Sequence, residues 1–164
     1  MIWLVQRKLQ SQRKSIDNFR AILPIPRLRL FVKMKRVAKM TNGELVALFE
    51  EISIAQSEAL DRFETARFNR LYDKKSAVVD ELHSRPGDQR RLLFPLYHHR
   101  NKQVQLDSAR FTYEINSAEA HAVIEQVASS RWYPQAGDAG MTLAIMKMEK
   151  SGVLKIDKAS KPKG

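Results

Sequence analysis

Between Thr41 and Gly152 the chain repeats one pattern. An apolar residue falls at every third or fourth position, a short cluster of Gly, Pro, Asn, Asp or Ser follows, and the spacing resumes. Apolar residues so spaced build one face of a 3.6-residue helix, and the clusters are helix stops and caps. No segment there shows the alternation of a half-buried strand. The fold class this predicts is all-α.

Thr41-Asn42-Gly43-Glu44 fits a capping box, and a first helix over roughly 42–59 places Leu45, Leu48, Phe49, Ile52, Ala55 and Ala59 on one face. Asp61-Arg62-Phe63 reads as a turn, one long bent helix being the alternative. A second helix over roughly 64–84 carries Phe68, Leu71, Tyr72, Val78, Val79 and Leu82. Pro86-Gly87 ends it, and Asp88 is placed to N-cap a third helix with Leu92, Leu93, Leu96 and Tyr97. After the polar break His98-His99-Arg100-Asn101, a fourth helix carries Val104, Leu106, Ala109, Phe111 and Ile115. Asn116-Ser117 recaps a fifth with Ala122, Val123, Ile124 and Val127. An irregular turn over Arg131–Gly137 leads to a sixth from about Asp138, lined by Met141, Leu143, Ala144, Ile145 and Met148.

Six helices joined by loops this short force neighbours to run antiparallel. The expected architecture is a HEAT/armadillo-like stack of about three antiparallel helical hairpins, since one hairpin cannot bury both its faces. Residues 92–109 resemble the HEAT-repeat pattern of an apolar helix, an Asn-containing turn, then Val and small residues. Lys102 stands where that pattern has Pro, and Gln105 where it has Arg.

Charge divides the chain. Residues 1–39 hold eleven Lys/Arg and one acid, Asp17; residues 153–164 hold four Lys and Asp157; residues 40–152 hold fourteen Lys/Arg against sixteen Asp/Glu. The net +11 therefore belongs to the two ends, and the −2 centre supports no basic face for a phosphate backbone. The helical domain is placed at 40–152. The Lys-rich 153–164 reads as a disordered tail. Residues 1–39 read as a mis-called extension, with Met34 or Met40 the working start, or as a disordered basic tail; an organelle transit peptide is a further alternative. No apolar run approaches the roughly 20 residues of a membrane span. The chain has no cysteine, so disulfides and thiolate metal sites are excluded, in keeping with a cytoplasmic location.

No catalytic, cofactor or metal constellation emerges. His83, His98, His99 and His121 lack a ligand spacing, no Gly-x-Ser-x-Gly elbow exists, and Gly137-Asp138-Ala139-Gly140 lacks the Lys-Ser/Thr of a phosphate loop. Neighbouring carboxylates such as Glu50/Glu51 face different ways on a helix. Arg131-Trp132-Tyr133 has two readings: rings plugging the last hairpin, or exposed anchors for a partner. In an up-and-down stack the turns at 61–63, 98–102 and 131–135 share one edge, and the Arg85–Arg91 turn takes the other. Helices two, four and six would then share a face on which Asp73, Asp107, Arg110, Glu114 and Asp138 are candidate polar contacts.

Ser84-Arg85-Pro86-Gly87-Asp88-Gln89-Arg90-Arg91 and Trp132-Tyr133-Pro134-Gln135-Ala136-Gly137-Asp138-Ala139-Gly140-Met141-Thr142-Leu143 resemble the two signatures of a small bacterial family, a domain of unknown function (number twenty-nineteen) grouped with HEAT-like helical repeats. The resemblance covers about 40–150 and implies a bacterial origin and a late start. It supplies no activity; through proteins of this kind encoded beside toxin genes it implies an immunity partner. The expected function is protein binding without catalysis, carried by Arg131, Trp132, Tyr133, Asp138, Asp107, Arg110 and Glu114. The alternative is nucleic-acid binding through the basic tails or a helical groove.

Overall fold

The computed structural model describes residues 37–151. The expectations for 1–36 and 152–164 lie outside that range. Helix α1 spans Asn42–Asp61, α2 Thr65–Ser84, a 3-10 segment Gln89–His98, α3 Lys102–Thr112, α4 Ser117–Ser129 and α5 Gln135–Lys150. The described residues contain no strand. Packing begins slightly ahead of the boundary set by charge, because Val37 is buried in the core.

The capping box forms: the Glu44 amide donates to Thr41 Oγ1 at 3.3 Å, and the Thr41 amide donates to Glu44 Oε2 at 2.7 Å. A short turn at Arg62–Glu64, with Phe63 at φ 57°, sends α2 back along α1. The predicted third helix is 3-10 rather than α. Pro95 explains this, since it offers no N–H and its ring would clash with the carbonyl four residues back in an α-helix. Burial follows the tighter period, with Arg90, Leu93 and Leu96 inside and Leu92 exposed. Gly87 at φ 80° and Asp88 at φ 47° turn the chain sharply into this segment.

α1 packs chiefly on α2, the 3-10 segment on α3, and α4 on both α3 and α5. Two apolar clusters result. One joins Leu45, Phe49 and Ile52 of α1 to Val78, Val79 and Leu82 of α2, with Leu93, Leu96 and Val104 closing it. The other gathers Tyr97, Leu106, Ala109, Val123, Ile124, Val127 and Ala139. Ile115, Ala122, Ala144 and Met148, expected inside, are exposed; each lies at the margin of its stripe or in the last turn of the chain's described part.

Arginines bind one end of the molecule together. Arg85 donates to Asn42 Oδ1 at 2.6 Å, the Met40 carbonyl at 2.7 Å and Glu81 Oε1 at 2.9 Å. Arg90 donates to Asp88 Oδ2 at 2.8 Å and reaches the Phe111 carbonyl at 3.3 Å. At the other end Gln135 Nε2 donates to Ser57 Oγ at 3.3 Å, across 78 positions of sequence.

Asp88 both caps the 3-10 segment and receives Arg90, whose bonds hold its carboxyl well below the usual carboxylate range against the opposing effect of burial. A depressed folded-state pKa gives stability that is complete above the unfolded value and disappears as pH falls toward the folded one. Asp88→Ala should cost about 1–2 kcal/mol near neutrality. The gap to the native chain should narrow as pH drops below about 4, as measured by denaturant titration at several pH values.

Candidate functional site

α2 carries its apolar stripe as Phe68, Leu71, Tyr72, Val78, Val79 and Leu82, and Lys75 lies in the middle of it. Its side chain is 1% exposed. The ammonium donates to Gln56 Oε1 of α1 and to Asp107 Oδ2 of α3. The rings of Phe111, Phe49 and Tyr72 surround it at 5.8, 5.9 and 6.0 Å. Gln103 Nε2 donates to the second oxygen of Asp107 at 3.1 Å, and Gln56 Nε2 to the Phe68 carbonyl at 3.2 Å. Burial pushes the Lys75 ammonium below its ordinary pKa, and Asp107 opposes that shift. A perturbed lysine often signals chemistry, but here the nitrogen is sealed by three rings, the Gln56 amide and the Asp107 carboxylate. This amine crosslinks three helices.

Arg110 of α3 makes a second tie, this one to α5. It donates to Asp138 Oδ2 at 2.8 Å, to the Asp138 carbonyl at 2.9 Å and to Thr142 Oγ1. The expected polar face is thus partly internal. Asp107 is buried and committed to Lys75 and Gln103, which corrects its reading as a surface contact. Arg110 and Asp138 are brought together, but with each other: their side chains are 8% and 21% exposed. Glu114 projects into solvent at the far end, 3.5 Å from Arg90. It is not part of a common site with Trp132, because the Arg90 bonds place it beside the Arg85–Arg91 turn.

The α4–α5 turn removes one of the two readings of its rings, the plug. Arg131 adopts φ 57°, Tyr133-Pro134 is cis, and Trp132 and Tyr133 are 64% and 73% exposed, so neither plugs the last helix pair. That role falls to Gln135 and Ala136, which follow them and are buried. Phe63, in the α1–α2 turn, is 92% exposed and follows by six residues Ser57 of α1, whose Oγ accepts from Gln135. Phe63 was the exposed aromatic missing from the sequence-derived set; its place in a turn next to Arg62 was the available signal.

Three histidines pair with carboxylates, His99 with Glu50 at 3.2 Å, His83 with Asp88 at 3.1 Å and His121 with Glu125 at 3.6 Å, and His99 Nδ1 also accepts from the Asn101 amide at 3.0 Å. Among the described residues no group of three His, Cys, Asp or Glu is placed to hold a metal ion. No described helix is long and apolar enough to cross a membrane.

An all-helical domain with a caged lysine inside and aromatic side chains standing out at one end is the class of protein these observations define. The chain belongs to the family described as a domain of unknown function (DUF2019), which matches residues 43–147. It is similar to the crystal structure of the protein RPA1889 from Rhodopseudomonas palustris CGA009, with 38% sequence identity and a TM-score of 0.66 over 77% of this chain and 98% of that one. No curated protein matches it.

Removing one member of a buried ion pair leaves the other charge stranded, at a typical cost of about 3–5 kcal/mol. Lys75→Met and Asp107→Leu should each show that loss in urea unfolding. The double variant should lie closer to the native chain than either single one, because it strands no charge.

Proposed function

We propose that this chain is a protein-binding helical module without catalytic activity, its helix pairs stacked in HEAT/armadillo-like fashion as three antiparallel hairpins. The pairing of α1 with α2, of the 3-10 segment with α3 and of α4 with α5 supports that stacking. The observation that carries the binding reading is the exposure of Trp132 and Tyr133, at 64% and 73%, on a turn whose ends the fold fixes. Large aromatics and arginine dominate the energetics of protein interfaces, while exposed rings gain nothing from water. Arg131 stands beside them on the same turn.

The family resemblance makes a bacterial toxin the partner class to test first, with this chain as its neutralising immunity protein in the cytoplasm. The −2 net charge of residues 40–152 sets protein ahead of nucleic acid as the ligand.

Affinity capture from the native organism, with the full chain in moderate salt, should return one stoichiometric protein. Trp132→Ala should weaken that complex by about 2 kcal/mol or more without lowering the melting temperature, since the ring is not part of the core. Recovery of no protein, or of nucleic acid that salt removes, would overturn the proposal.

A further inference from the structure

The two ends of the molecule treat their arginines differently. At the end built around the Arg85–Arg91 turn every guanidinium is occupied. Arg85 is held by Glu81 and Asn42, Arg90 by Asp88, and Arg91 donates to the Asp88 carbonyl at 3.3 Å. At the end bearing Phe63, Trp132 and Tyr133, Arg62, Arg70 and Arg131 are exposed, and none makes a close ion pair among the described residues, although Arg62 and Arg70 both lie near enough to Glu64 to help Arg67 hold its carboxyl below its ordinary pKa. Arg67 is the exception, paired with Glu64 at 2.9 Å and Glu58 at 3.5 Å. A hollow of about 540 Å3 opens beside Phe63, lined by Glu64, Thr65, Ala66, Arg67 and Arg70.

We infer that this end takes an acidic protein surface, with apolar side chains seated against Phe63, Trp132 and Tyr133 and carboxylates meeting Arg62, Arg70 and Arg131. The inference rests on the protein-binding reading and adds the chemistry of the partner. Guanidinium groups pair with carboxylates in a planar, two-bond geometry, and charge complementarity of this kind sets specificity and association rate. A phosphate backbone fits less well. Glu58, Asp61 and Glu64 are interspersed among the arginines and would oppose a continuous run of negative charge, whereas a protein presents carboxylates singly.

The test uses the full chain with three probes: a synthetic peptide alternating Glu with Leu and Phe, its Gln-for-Glu counterpart, and oligothymidine. Binding is read by fluorescence anisotropy at near-physiological salt. The Glu peptide should bind at least about tenfold more tightly than the Gln peptide. The triple variant Arg62→Gln, Arg70→Gln, Arg131→Gln should lower that affinity by about tenfold, while Arg91→Gln at the opposite end leaves it unchanged. The basic tails are the same in all variants, so the difference reports this end alone, and circular dichroism confirms that each variant folds. Equal binding of the two peptides, no binding of either, or indifference to the triple variant overturns the inference. Oligothymidine binding that disappears in the triple variant also overturns it, in favour of nucleic acid. With the captured native partner, loss through Trp132→Ala but not through the triple variant leaves the binding function standing and removes the acidic-partner inference. Indifference to both removes both.

Discussion

The ammonium of Lys75 is the point at which three helices are tied. It takes its acceptors from α1 and α3 while belonging to α2, and the faces of three aromatic rings close the remaining space. A charge so far from water requires both a counter-ion and polar neighbours, which fixes the rotation of each contributing helix. Gln56 must point toward α2, Asp107 toward Lys75, and Gln103 toward Asp107. Apolar packing alone tolerates small rotations of a helix about its axis; this arrangement does not. The tie between Arg110, Asp138 and Thr142 plays the corresponding part between α3 and α5.

These internal ties also decide which polar side chains remain open to solvent. The polar residues between the helices are spent on one another, so the face they would have offered is partly closed. The turns at the Trp132 end are built differently. Phe63 and Arg131 take left-handed backbone conformations there, and the rings of Phe63, Trp132 and Tyr133 are left in solvent. The opposite turn is knitted to its neighbours by Arg85 and Arg90. The bonded arginines lie at one end and the exposed rings of Trp132 and Tyr133 at the other.

The helices were legible in the sequence because caps and apolar spacing are local signals. Thr41 with Glu44, Asp88, and Asn116 with Ser117 marked helix starts to within a residue or two of where they occur. Pro95 carried the information that the third helix is 3-10, but leucines at 92, 93 and 96 fit an α-helical stripe as well. The candidate site was legible only in part. Trp132 and Tyr133 were singled out, yet whether they pack or project depends on Gln135 and Ala136 occupying the interior after them. Asp107 was misplaced because a lone acid on a helix ordinarily faces water, and its burial depends on a lysine 32 positions earlier. That lysine was visible as a charge inside the α2 stripe. Periodicity shows such a break without showing what lies across from it.

The bond between Ser57 and Gln135 links the first described helix to the start of the last. In a solenoid each unit touches only its neighbours, so units can be added or lost at an end and melt separately. Here the ends meet. A further helix pair inserted between them would pull Ser57 from Gln135. Forming that bond brings together residues 78 positions apart, a contact far longer in sequence than any within a single helix pair.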